Sequence, residues 1–193
     1  MRGVLKKVVD FVTFPVRSFI LIEKDRFGLS SLASERFDYV AKEVSGMCLD
    51  VGCGRGNKFI KNYLNNNGVG IDVFKFEGLT EKNIVKNMTS LDYRDGTFDC
   101  ATLIAVINHI PEYDREAELK EIFRCLKTCG KIIITMGNPL AEIVIHKILA
   151  FYTSIFKNYS DVDSERGMKK GEKYYLTDKE IIQCLKNVGF RNI

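Results

Sequence analysis

The chain has 193 residues and a mass of 22.0 kDa, the size of one ordinary domain with little room for a second core. Hydrophobic residues at 46% and charged residues at 28% exclude a disordered polymer, and only 3 prolines argue against a linker or scaffold. The net charge of +4 is too small to imply a nucleic-acid partner without a clustered basic face, so none is expected.

Residues 1–22 are apolar with a basic start, but Lys6, Lys7, Asp10 and Arg17 break any run long enough to span a bilayer. No small-residue cleavage site follows. Val4, Leu5, Val8, Val9 and Val12 repeat at helical spacing until Pro15, giving an amphipathic segment. Such a segment either packs on the domain or rests on a membrane surface, so a cytoplasmic protein and a membrane-peripheral one both stay open. Ser31–Glu43 reads as a helix with Leu32, Phe37, Tyr39 and Val40 turned inward.

The period then changes. Met47–Val51 is a short apolar run that suits a buried strand, and Asn57–Asn66 suits a helix burying Phe59, Ile60, Tyr63 and Leu64. Asn65–Gly68 should end that helix, because Asn and Gly tolerate a left-handed turn. Val69–Val73 is a second strand, Asn83–Asn87 a weaker third and Phe98–Ile107 a fourth. Leu119, Ile122, Phe123 and Leu126 form a helical stripe, closed at Gly130 before a fifth strand, Lys131–Met136. Leu140–Phe156 is apolar, and Asp161–Lys173 is dense in charge, a lid or a solvated loop. Thr177–Glu180 is a capping box that opens a last helix with Ile181, Leu185 and Val188 on its stripe and Gly189 as its stop. The six cysteines have no CxxC spacing and only two histidines accompany them, so reduced thiols and no metal site are expected.

Buried strands alternating with helices predict an α/β, Rossmann-like, doubly wound and mainly parallel sheet with helices on both faces. Ligands of such sheets bind at the loops that follow the strands. The first of these loops is Leu49-Asp-Val-Gly-Cys-Gly-Arg-Gly-Asn57, whose glycines permit tight turns and close approach of a ligand. A dinucleotide fingerprint counted from Gly52 wants Gly or Ala where Asn57 stands, and no Gly-Lys-Ser/Thr follows for a P-loop. The second strand ends at Asp72, where a carboxylate can accept hydrogen bonds from both ribose hydroxyls of a nucleoside.

Together with Gly70-Ile-Asp-Val73, Asp95-Gly-Thr-Phe-Asp99, Asn108-His-Ile-Pro111 and Leu126-Lys-Thr-Cys-Gly-Lys131, this loop resembles the class I S-adenosylmethionine-dependent methyltransferases. Within them it is similar to the small-molecule branch called methyltransferase type 11, over residues 48–190. The resemblance implies S-adenosylmethionine as cofactor and S-adenosylhomocysteine as product. It puts Asp50, Gly52, Cys53 and Gly54 around the methionine part, Asp72 on the ribose and Val73 against the adenine. Asn87 and Met88 would meet the adenine edge, Asn87 replacing the usual Asp, and Ile104 and Ala105 would line the sulfonium end. Thr128-Cys129 stands where the family has Pro-Gly, so a local change of that turn is expected.

His109, just after strand four, is either a general base or a residue that orders its loop, whereas His146 reads as structural. One methyltransferase domain is expected over 1–193. It would comprise a helical cap at 1–45, a cofactor-binding core at 46–137, a substrate-side insertion and lid at 138–176, and a last helix with the start of strand six at 177–193. The sequence stops at Phe190–Ile193, where the family begins strand six, so either the chain is shortened or strand five lies near an exposed edge, which raises a homodimer as a hypothesis. The acceptor would be small or lipid-like. The rivals are a cofactor-sensing or membrane-bound module without turnover and, less favoured, a nicotinamide-dependent oxidoreductase.

Overall fold

The computed structural model describes residues 32–136, 171–173 and 176–193. The amphipathic segment before them, His146, the apolar stretch 140–156 and most of the charge-dense run lie outside the described residues. The chain divides into two compact units, Met1–Glu43 and Val44–Ile193. In the first, helix α1 spans Leu32–Glu43. Val40 is buried and Phe37 half-buried, but Tyr39 is 48% exposed rather than inside, with the Lys42 ammonium 5.7 Å from its ring centre.

In the second unit β1 (Cys48–Val51), β2 (Gly68–Ile71), β3 (Phe98–Ile104) and β4 (Leu126–Thr135) form a parallel sheet in the order β2-β1-β3-β4. All four residues of β1 are buried, as befits a central strand covered on both faces. Alternation then sorts its side chains. Leu49 and Val51 join Ala101 and Leu103 of β3 in the main core, with Leu119 and Ile122 from helix α2 (Glu112–Cys125) and Leu185 from helix α3 (Asp178–Val188). Asp50 and Thr102 alternate away from that cluster, equally buried.

The first expected helix, Asn57–Asn66, is instead a short 3-10 turn at Arg55–Asn57 followed by a π turn at Phe59–Tyr63. Gly56 at φ 69° and Asn57 at φ 50° take left-handed conformations that no continuous helix can include. Phe59 and Ile60 are nonetheless buried, and Asn65 and Asn66, both left-handed, end the segment as the Asn-Gly cluster predicts. The weak third strand contracts to a single parallel bridge between Asp72 and Ile84. The fourth strand stops at Ile104, because Ala105 turns left-handed at φ 58° and Ile107–His109 coils into a 3-10 turn.

Gly130 does not close α2. The helix ends at Cys125 and β4 begins at once. Pairing then jumps from Phe98↔Leu126 to Cys100↔Lys131, so the residues between bulge out of the ladder. Cys129, at φ 64°, takes the conformation a glycine would favour. The Asp95-Gly-Thr loop is stapled to α2 by Arg124, which donates to Asp95 Oδ1 (2.5 Å), Tyr93 O (2.7 Å) and Leu91 O (3.1 Å). Thr177 and Glu180 form the predicted capping box, and Gly189 at φ 116° is the predicted stop. Beyond it Phe190 stacks edge-on against Phe123 of α2, and residues 190–193 form no strand. The six cysteines are free thiols, four of them buried as small core residues.

Candidate functional site

The loops after β1, β2 and β3 meet at one end of the sheet and form a cleft. After Val51 the chain turns at Gly52 (φ 72°), where Gly52 and Cys53 donate their N–H groups to Ile71 O at 2.8 and 3.0 Å. A Cβ on Gly52 would lie 2.5 Å from Val106 Cγ2, so glycine here is a packing requirement as well as a conformational one. Gly54, also left-handed, faces open space instead: no atom lies within 4 Å of where its Cβ would be.

Asp72 lines the same cleft beside this loop. The Gly54 N–H donates to its Oδ2 at 3.0 Å and the Phe74 N–H to its Oδ1 at 2.9 Å. Each oxygen accepts one of these bonds and retains a lone pair for a further donor. The carboxylate is thereby fixed before any ligand arrives, in a residue only 2% exposed.

The cleft is lined by Val51, Gly52 and Asp72, by Val73, Phe74 and Met88, and by Val106, His109, Ile110, Pro111, Glu118 and Glu172. Gly52, Asp72, Val73, Met88 and His109, all singled out in the sequence, thus line one cleft. Ile104 and Ala105 do not line it, because the left-handed turn at Ala105 presents Val106 instead. Asn87 is exposed, and its side-chain oxygen accepts from the Thr89 N–H (3.0 Å) and hydroxyl (2.7 Å), closing a local turn. Cys53 is buried behind the loop.

Asp50 lies beneath the cleft rather than on it. Its Oδ1 accepts from the Thr102 hydroxyl at 2.7 Å, and burial pushes its carboxyl up to about 7, against the lowering effect of that hydrogen bond. Asn57, buried and left-handed, packs its side-chain oxygen against the Cα of Gly70, where no Cβ could fit.

Glu118 and Glu172 were not anticipated. Glu118 sits on α2 beside the buried Leu119, where its charge offered no pattern to read. Burial, helped by Asp114, raises its carboxyl to about 7. A folded-state value above the unfolded one means that the folded protein holds the extra proton, so stability falls as pH rises from about 4.5 to 7 and is flat above. Glu118→Gln should therefore match the wild type near pH 4 and exceed it by about 1–2 kcal/mol at pH 8, allowing for solvent screening of a half-buried group. Urea unfolding at the two pH values measures this, and a difference independent of pH would contradict it.

Residues 24–193 match the family described as a methyltransferase domain. The chain belongs to that family. A methyltransferase domain with this parallel sheet has the class I fold, and its cofactor is S-adenosylmethionine. An uncharacterised protein of Methanocaldococcus jannaschii is 27% identical over 139 residues, covering 67% of this chain and 59% of its own. The demethylmenaquinone methyltransferase of Lactobacillus johnsonii is 26% identical over 108 residues, 53% of this chain and 43% of that one. The methyltransferase domain therefore spans only about half the length of these relatives. A solved SAM-dependent methyltransferase of Thermotoga maritima, described as a possible histamine N-methyltransferase, superposes with a TM-score of 0.56. It shares 17% identity over 97% of this chain and 79% of that one, a likeness of fold alone.

The residues present fit the cofactor. Gly54 leaves a cradle that any side chain would fill, and Asp72 offers two prepositioned acceptors for the paired hydroxyls of a ribose. Among the described residues no group of three His, Cys, Asp or Glu side chains converges as a metal site would require, and no helix is long and apolar enough to cross a membrane.

Proposed function

We propose that the protein transfers a methyl group from S-adenosylmethionine to a small or lipid-like acceptor and releases S-adenosylhomocysteine. The observation that carries this reading is the Asp72 carboxylate, clasped by the Gly54 and Phe74 amides in a cleft that His109 also lines. In that reading Asp72 takes the ribose hydroxyls, Gly52 and Gly54 let the methionine part approach the backbone, and Val73 and Met88 flank the adenine. The cofactor supplies an electrophilic methyl on a sulfonium, already activated for displacement. The chain's own task is alignment, exclusion of water and acceptance of a proton.

His109 takes the proton. Bound S-adenosylmethionine would supply the methyl and leave as S-adenosylhomocysteine, and the His109 imidazole would take the proton that the acceptor X–H gives up. The cleft's Val51, Val106, Ile110 and Pro111 give it an apolar wall. This favours an acceptor with a hydrophobic body, in keeping with a relative named for demethylmenaquinone. Incubation with cofactor tritiated on the methyl, against phenols, amines and quinols, tests the reading. Acceptor-dependent transfer of the tritium to the acceptor, with unlabelled S-adenosylhomocysteine left behind, is expected. Cofactor binding with no transfer to any of them would favour a sensing module.

A further inference from the structure

Several carboxylates of helix α2 meet a donor. Glu112 lies 4.0 Å from the Lys173 ammonium, and Glu116 accepts from Asn187 Nδ2 at 2.5 Å. Glu121 accepts from Arg124 Nη2 at 2.6 Å and from the Leu91 N–H at 2.7 Å. Glu118 differs. It lines the cleft, and among the described residues no hydrogen bond or ion pair reaches its carboxyl. Arg115, one turn earlier on the helix, donates to Ile110 O at 2.9 Å instead. The charge that does act on Glu118 is Asp114, of the same sign, and with burial it pushes the carboxyl up to about 7. A carboxylate in such a place is costly until a cation or a donor meets it.

The rest of the cleft has the same sign. Among the described residues that line it there is no Lys or Arg, whereas Asp72, Glu118 and Glu172 all do. Asp72 is clasped by the Gly54 and Phe74 amides. Glu172 is carried to the cleft by two backbone bonds: Gly171 O accepts from the Glu112 N–H at 2.9 Å, and the Lys173 N–H donates to Asn108 O at 3.1 Å. Its Oε2 stands 3.6 Å from His109 Nδ1. Between these acidic groups lie the apolar Val51, Val106, Ile110 and Pro111. A cleft lined by one sign of charge with low-dielectric walls concentrates ligands of the opposite sign.

We propose that Glu118 is a specificity-determining residue of the cleft: its carboxylate meets a protonated amine carried on an apolar body, and so selects cationic acceptors over neutral or anionic ones of the same shape. Calling this ligand an acceptor rests on the proposed methyl transfer; the preference for an ammonium does not. A cation at contact distance favours the ionised carboxyl, so binding draws the proton off Glu118 and leaves a desolvated ion pair. An analogue without the ammonium leaves the buried carboxyl unmatched, which is how a polar group in an apolar site discriminates.

Wild type and Glu118→Gln are first titrated calorimetrically with S-adenosylhomocysteine and with methylthioadenosine, which lacks the amino-acid part. Both proteins should bind each nucleoside alike. With and without S-adenosylhomocysteine, each is then titrated by NMR with phenethylamine and hexylamine, and with phenethyl alcohol, hexanol and hexanoate as neutral and anionic counterparts. In the wild type the amines should bind roughly tenfold to a hundredfold more tightly than the alcohols, the range of a hydrogen bond to a charged group, and hexanoate most weakly. Glu118→Gln should lose most of that preference while remaining folded, and Glu118→Asp should keep part of it. Should the Gln variant not fold, the Asp variant carries the comparison. Amines that bind no more tightly than alcohols, or a preference undiminished in the variants, would overturn the proposal. So would a Glu118→Gln protein that loses affinity for S-adenosylhomocysteine but not for methylthioadenosine, because the carboxylate would then serve the cofactor's own ammonium. If neither protein binds S-adenosylhomocysteine, the cofactor reading falls, and the amine series on the unliganded protein still decides this one.

Discussion

Asp72→Ala should reduce the affinity for S-adenosylhomocysteine by roughly 10²- to 10⁴-fold, since two hydrogen bonds to a charged group are worth about 3–6 kcal/mol together. The loss has two parts. The ribose hydroxyls would lose their acceptors, and the Gly54 and Phe74 amides would lose the group that holds both loops in place. Asp72→Asn separates them, because one amide oxygen can serve one N–H while the amide nitrogen faces the other donor to donor. It should therefore bind more weakly than the wild type but better than Asp72→Ala. Calorimetric titration on variants with intact thermal unfolding measures the series. An Asp72→Ala affinity within tenfold of the wild type would remove Asp72 from the cofactor site.

Gly52→Ala should destabilise the fold as well as the site. The added methyl meets Val106 Cγ2 at 2.5 Å and Cγ1 at 2.9 Å, and neither atom is the loose end of a long chain. Overpacking of this kind costs about 1–3 kcal/mol, and an alanine held at a left-handed φ about 1–2 kcal/mol more. The two contributions can be told apart. The double variant Gly52→Ala/Val106→Ala relieves the collision and leaves the backbone strain, so it should regain about 1–3 kcal/mol of the loss. Urea midpoints for the single and double variants check this. An unshifted midpoint in Gly52→Ala would mean that Val106 yields at no cost and that the glycine answers to the ligand alone.

These two residues were legible because their requirements are local. A buried strand announces itself in an apolar run such as Cys48–Val51, a tight turn in glycine, and a helix start in the Thr177–Glu180 pair. The pairing of the Gly-rich loop with Asp72 was equally readable, since both sit at strand ends and the parallel topology brings strand ends to one edge. The family resemblance, rather than a local pattern, puts Asp50 around the methionine part of the cofactor. Strand alternation turns it under the cleft to Thr102 instead.

What the sequence by itself determined was the family and the parallel α/β architecture, carried by short-range pattern. Tertiary structure decided the rest. It broke the helix expected after Gly56, where Asn57 packs against Gly70, and it turned the segment after β3 so that Val106 rather than Ala105 faces the cleft. It also seated Glu172 beside His109. Contacts of that kind join residues far apart in the chain, and no periodicity or spacing encodes them. They exist only once the backbone bonds from Gly171 and Lys173 have drawn the two segments together.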